Sequence, residues 1–136
     1  MREAILQQIN TVRASGRVCG TQLLPRAGAM TWNDILFSAG ARHSTDMATR
    51  NYFSHTTPEG VSFSQRLSTE GYGSWTAGEN IAAGQRSVSE VMASWLASEG
   101  HCRNIMQPAF NEVAVACVSQ SGSTYGTSWT MELGGR

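Results

Sequence analysis

ARHSTDMATRNYFSHTTPEGVSFSQRL, residues 41–67, reads without a break as a helix end, a turn and a helix start. His43 and Met47 continue an apolar series opened by Ile35, Leu36 and Ala39 at spacings of three and four, so one helix face runs through all five. Thr31, with Asp34 three residues on, is the expected N-cap, and the helix is expected to run to about Arg50. The chain then turns at Thr57-Pro58-Glu59-Gly60. Ser62 and Gln65 cap a short helix that should end near Gly71. His55 is left in the connecting segment, where a helix ends and a cavity can open.

Towards the N-terminus, Ile5, Leu6, Ile9 and Val12 share one face of a helix over residues 3–15 that stops near Gly16. A loop containing Gly20, Pro25 and Gly28 is expected next. Towards the C-terminus, residues 73–78 read as loop and Ile81-Ala82-Ala83 as a short strand. Ser87 and Glu90 form a capping-box pattern, followed by the stripe Val88, Val91, Met92, Trp95 and Leu96. Gly100 is expected to end that helix. Residues 113–118 and 128–133 alternate and read as antiparallel strands joined at Ser121-Gly122-Ser123. Helices first and strands last make an α+β pattern with segregated layers.

A chain of 136 residues is one domain by length. Ten arginines balance ten acidic residues and only 15% of residues are charged. That leaves no basic field for phosphates and argues against a nucleic-acid partner. No apolar run reaches the roughly 18 residues that span a membrane. Met1-Arg2-Glu3 leads into an amphipathic stretch and not into a signal-peptide pattern. The cysteines, at 19, 102 and 117, are odd in number. Two readings stand: one disulfide with a thiol left over, or three buried thiols.

The chemistry-bearing residues gather in YFSHTTPEG (52–60), GENIAAG (78–84) and EGHCRNIM (99–106). His55, His101 and Glu79 can take three positions around a divalent metal and leave the fourth to water. Equally, the carboxylate can hold one imidazole in a fixed tautomer without any metal. His43, on an apolar helix face, reads as a core histidine. Ser54 and Ser98 flank the histidines, but no G-x-S-x-G elbow supports a serine hydrolase. Asn80 and Asn104 read as residues that satisfy backbone groups in turns. Arg66 and Arg103 read as solvated or ion-paired, Trp32, Trp95 and Trp129 as core, and Trp75 as a candidate groove residue.

Taken together, AxxHSxDMAxxNYFSHTTPEGxSFxxRL (41–67), GENIAAG (78–84), VMASWLASEGHCRNIMQPAF (91–110) and SWTMELG (128–134) resemble the bacterial, SCP-like branch of the CAP superfamily. That superfamily groups cysteine-rich secretory proteins, antigen 5 and pathogenesis-related 1 proteins. The resemblance spans nearly the whole chain, residues 1–136, and implies a single three-layer α-β-α sandwich around a mostly antiparallel sheet. It further implies a surface cavity lined by two histidines and two acidic residues, of which His55, Glu79 and His101 match three. The fourth position, three residues after Trp95, holds Ser98. Glu99 lies one residue further, a step of about 100° on a helix, and is the candidate substitute. Arg17-Val18-Cys19-Gly20 beside Gly100-His101-Cys102 implies a Cys19–Cys102 bond, an unpaired Cys117 and an oxidising compartment.

The resemblance also implies an extracellular or periplasmic, monomeric binding module, non-enzymatic, for a small ligand, a lipid or a cell-envelope component. Zinc or another divalent metal would be held by His55, His101 and Glu79, with no organic cofactor. The alternative is a metal-dependent hydrolase of peptide or ester bonds in which the same three residues are catalytic.

Overall fold

The computed structural model describes residues 1–136. Its helices are α1 (Arg2–Ser15), α2 (Asp34–Arg50), α3 (Phe63–Glu70), α4 (Val88–Ala97) and α5 (Glu99–Met106). Its strands are β1 (Arg17–Cys19), β2 (Gln22–Leu24), β3 (Thr31–Trp32), β4 (Thr76–Ala83), β5 (Glu112–Ser119) and β6 (Thr127–Gly135). The main sheet has the order β3-β5-β6-β4, antiparallel except for the short β3–β5 pair. Helices α2 and α3 cover one face, and α1, α4 and α5 cover the other. This is the expected α+β, three-layer α-β-α sandwich.

Strand β6 shows how the sequence divides the layers. Trp129, Met131 and Leu133 point into the larger core with Ile5, Ile9 and Trp95. Burying each such side chain contributes roughly 1.5–3 kcal/mol. Ser128, Thr130 and Glu132 alternate to the opposite face, yet they too are buried, because α2 lies over them. Small residues let α2 approach: a Cβ on Gly40 would sit 3.4 Å from the Thr130 carbonyl oxygen. Ser44 Oγ meets Thr130 Oγ1 at 2.7 Å.

Several local expectations are corrected. Asn33, not Thr31, caps α2: its Oδ1 accepts from the Ile35 and Leu36 amides, while Thr31 pairs with Glu112 in the sheet. The expected loop after α1 contains the antiparallel hairpin β1–β2, turned at Gly20 with φ +63°. Strand β4 begins at Thr76 and is not confined to 81–83. It escapes a periodicity reading because residues 78–82 are all buried, with no polar alternation to detect. Gly78 is required there, since a Cβ would come within 2.9 Å of the Phe110 ring. Gly100 does not end α4; the break falls at Ser98, and Gly100 lies inside α5. Ser87 does cap α4, but Glu90 Oε2 accepts from the Arg86 amide and not from Ser87.

Two features bear on the site. Strand β4 is a sheet edge, and its outward carbonyls at Glu79 and Ile81 are taken by Asn104 Nδ2 and Trp95 Nε1. Buried Arg13, on α1, donates to the carbonyls of Gly28, Ile105, Gln107 and Phe110 at 2.6–2.9 Å. A cation at the end of α5 suits the negative end of that helix and fixes the element that carries His101. Cys19 and Cys102 are joined, with Cα atoms 5.5 Å apart, and Cys117 is free. No helix is long and apolar enough to cross a membrane.

Candidate functional site

The site forms where three elements reach the β4 edge. Asn51, in the left-handed region at φ 54°, ends α2 and releases the loop that carries His55. The loop is closed by Thr57, whose amide and hydroxyl both bond Val61 backbone groups. A full capping box, Ser62 with Gln65, then starts α3 and aims Arg66 back at the loop. Arg66 Nη2 donates to the His55 carbonyl at 2.7 Å and to both Glu79 carboxylate oxygens at 3.0 and 2.9 Å. His55 Nδ1 donates to Glu79 Oε1 at 2.8 Å, leaving Nε2 on the outer side of the ring.

His101 arrives from the opposite layer. Asn80 on β4 donates to the His101 carbonyl at 3.2 Å, and Asn104 Nδ2 donates to Asn80 Oδ1 at 2.9 Å. Asn80 and Asn104 therefore position His101 from a strand and a helix, not from turns. His101 lines a cavity of about 320 Å³ together with Phe53, Trp95, Ser98 and Tyr125. Burial, then the neighbouring His55, holds its pKa below the ordinary imidazole value. Both causes favour the neutral ring.

Glu99 stands apart. Its side chain is 58% exposed and pairs with Arg103 at 3.0 Å. Ser98 faces the cavity in its place. Ser54 Oγ accepts from the Thr56 amide. His43 is buried, with Nε2 donating to the Ser54 carbonyl at 2.8 Å. Trp75 is 92% exposed and is not part of the His101 cavity.

The sequence reading missed Glu132. It sits directly opposite Glu79 in the β4–β6 register, on the same face, with its side chain fully enclosed. Its carboxyl oxygens meet no N–H or hydroxyl donor. Burial, then the Glu79 hydrogen bond and charge, drives its pKa well above the ordinary carboxyl value. That direction favours a protonated Glu132 facing the Glu79 carboxylate across the β4–β6 pair. For Glu79, burial alone would raise the pKa, but hydrogen bonds from Glu132 and His55 and the charge of Arg66 outweigh it. The net shift is downward, and Glu79 is the anion of the pair.

With its raised folded pKa, Glu132 contributes stability that is full below its unfolded value and is lost as pH rises through its folded value. Glu132→Gln removes that titration while keeping a donor to Glu79. The variant should match the parent near pH 4 and exceed it by about 1–2 kcal/mol at pH 8, where one pKa unit is worth about 1.4 kcal/mol. Urea unfolding at the two pH values measures this. A variant less stable than the parent at pH 8 would rule out a protonated Glu132.

No three His, Cys, Asp or Glu side chains stand together as a metal-ligand set. Glu79 does not fit the ligand role expected of it, because Arg66 and His55 use both oxygens and its side chain is 0% exposed. The imidazoles do fit: with its Nδ1–H held by Glu79, His55 keeps Nε2 for an ion.

Comparison with known proteins places this geometry. The family model described as "CAP: Cysteine-rich secretory protein family" matches residues 6–133. An extracellular, SCP-domain-containing protein of Bacillus anthracis is 27% identical, with a TM-score of 0.75. The match covers 99% of this chain but only 41% of that protein. An outer surface protein of Borrelia burgdorferi shares the fold at a TM-score of 0.81 and 14% identity, over 98% of this chain and 91% of that one. A cysteine-rich secretory protein of Staphylococcus aureus aligns at 0.68 and 13% identity, over 99% and 38%. Among curated proteins none matches. The disulfide, the enclosed Glu79 of the Gly-Glu-Asn strand and the family match over residues 6–133 agree: the chain belongs to the cysteine-rich secretory protein (CAP) family.

Proposed function

We propose that the chain is a non-enzymatic binding module, working outside the cytoplasm, whose surface offers the exposed His55 and the cavity residue His101 to a ligand. The observation that carries this reading is the state of Glu79. A general base or a metal-bound nucleophile's partner needs a free carboxylate oxygen within reach of substrate. Here both oxygens are engaged and enclosed. Glu79 is scaffold: it orients His55 and neutralises Arg66. The absence of a carboxylate at Ser98 removes the other acidic group a hydrolase would use.

A divalent cation such as zinc would be held by His55 and His101, with Glu79 behind His55 and not in contact with the ion. Two imidazoles bind less firmly than the three or four ligands of structural zinc sites. A placement outside the cell agrees with the Cys19–Cys102 bond and with the extracellular B. anthracis relative.

Titration calorimetry with zinc tests the site. The parent should bind one ion, and His55→Ala or His101→Ala should weaken it at least about tenfold, or 1.4 kcal/mol. Glu79→Gln should weaken it by a smaller factor. Affinity unchanged in both histidine variants would overturn the cation reading. Turnover of a peptide or ester at kcat/KM near 10⁴ M⁻¹s⁻¹, lost in His101→Ala, would overturn the module and restore the hydrolase.

A further inference from the structure

Two hollows flank one pair of exposed rings. Phe53 and Tyr125 are 49% and 60% exposed and meet edge to face, with centroids 6.3 Å apart. On one side lies the cavity of about 320 Å³ that contains Ser98 and His101. On the other lies a hollow of about 250 Å³ bounded by Asn51, Ser123 and Thr124. Both rings line both hollows, so the two are one groove crossed by an aromatic ridge. Each hollow lies near the lower bound of small-ligand sites, ~300 Å³, room for about one ring-sized group.

The groove has an unusual chemistry for this chain. No Arg, Asp or Glu side chain lines either hollow, and the chain has no Lys. Its polar groups are amides, hydroxyls and the His101 imidazole, among them Asn51, Gln85, Ser94 and Ser98. Gln85 Oε1 is buried without a donor, and its amide nitrogen reaches only Ser94 Oγ, at 3.4 Å.

These features sort the ligand classes. A charged ligand finds no Arg, Asp or Glu countercharge on the lining. A lipid chain would leave the amides and hydroxyls desolvated and unpaired. A peptide adding a strand to β4 needs free edge carbonyls, and those of Glu79 and Ile81 are already taken. A neutral sugar fits both halves of the surface. Its weakly positive C–H face packs on the negative face of an aromatic ring, and its hydroxyls both donate to and accept from amides and hydroxyls.

We propose that this groove binds a neutral oligosaccharide, with one pyranose ring on each side of the Phe53–Tyr125 ridge. The inference deepens the binding-module reading and rests on it. The test is calorimetric titration of the whole chain with chitotetraose (N-acetylated) and cellotetraose (plain), with a heparin tetrasaccharide as the anionic arm. At least one neutral tetrasaccharide should bind. Phe53→Ala and Tyr125→Ala should each weaken it about tenfold or more with unchanged melting temperature, since both rings are on the surface. Which neutral chain binds tells N-acetylated from plain glycan. The proposal is overturned if neither binds at about 10 mM, if only heparin binds, or if both ring variants leave the affinity unchanged. Zinc titration of the same samples reads His55 and His101 separately. Zinc bound and sugar unbound sinks this inference alone; the loss of both sinks the module reading with it.

Discussion

Reducing the Cys19–Cys102 bond is expected to cost the fold about 4–5 kcal/mol in the chain-entropy treatment. The two cysteines are 83 residues apart, so the bond removes a large loop from the freedom of the unfolded chain. For a domain of this size that is a melting-temperature drop of about 10–20 °C. The loss should be felt first at the site. The bond pins the β1–β2 hairpin against α5, the helix that carries His101. Without it the hairpin keeps the Arg103 Nη2 bond to Gln22 Oε1 at 3.0 Å, the Arg17 Nη2 bond to the Leu96 carbonyl at 3.5 Å and the packing of Cys19 and Leu24 against Met106 and Leu96. Calorimetric melting with and without reductant, and of the Cys19→Ala/Cys102→Ala variant, measures the effect. A drop under about 3 °C, worth roughly 1 kcal/mol, would show that packing of Cys19, Cys102 and Met106 suffices. Cys117 provides an internal control, because it should alkylate before reduction once the chain is unfolded.

The legible parts of the fold were those in which one face of an element is wet. The stripes of α1, α2 and α4 alternate with polar residues, and Ser62 and Ser87 announce helix starts by side-chain chemistry that needs no tertiary context. Strand β4 was half missed because helices cover both its faces, so Gly78, Glu79 and Asn80 resemble a loop until β6 is placed beside them. Gly100 misled for the opposite reason. Its place in α5 depends on the packing of Cys102 and Ile105, which outweighs a glycine penalty of about 1 kcal/mol.

In the site, the ordered family blocks named His55, Glu79 and His101, and the structure brings His55 and Glu79 into direct contact. The partners that decide what Glu79 can do were not legible. Glu132 occupies the outward position of an alternating strand and reads as solvent-facing; only the placement of α2 encloses it. Arg66 reads as an ordinary surface arginine of a short helix. Its role depends on a loop and a strand 11 and 13 residues away closing around it.

Arg66→Met should be the most damaging single change within the site, at about 3–5 kcal/mol. Arg66 is 12% exposed and Glu79 0%, so this is not a surface pair of the kind worth about 0–1 kcal/mol. Removing the guanidinium leaves a buried carboxylate facing the protonated Glu132, with only His55 to offset it. It also frees the His55 carbonyl and hence the loop. Glu79→Gln alone should cost less, because it removes a charge and keeps a hydrogen-bonding group, although it leaves Arg66 charged. The double variant should cost clearly less than the sum, by about 2 kcal/mol or more, since the second change relieves the buried charge that the first exposes.

The pH dependence gives a second, independent reading of the same variant. In the parent, the lowered Glu79 pKa contributes stability that is present above the ordinary carboxyl value and lost as pH falls through the folded value. In Arg66→Met one of the groups that lower the Glu79 pKa is gone, so that pKa should rise and its stabilising contribution should shrink. The deficit against the parent should therefore be largest near pH 7 and shrink towards pH 4, as protonation removes the unpaired charge. Urea unfolding followed by circular dichroism at both pH values, with zinc titration alongside, separates the parts. A pH-independent deficit would mean that Arg66 acts through packing and not through charge. A full-sized deficit at pH 7 with unchanged zinc affinity would show that the loop keeps His55 in place without it.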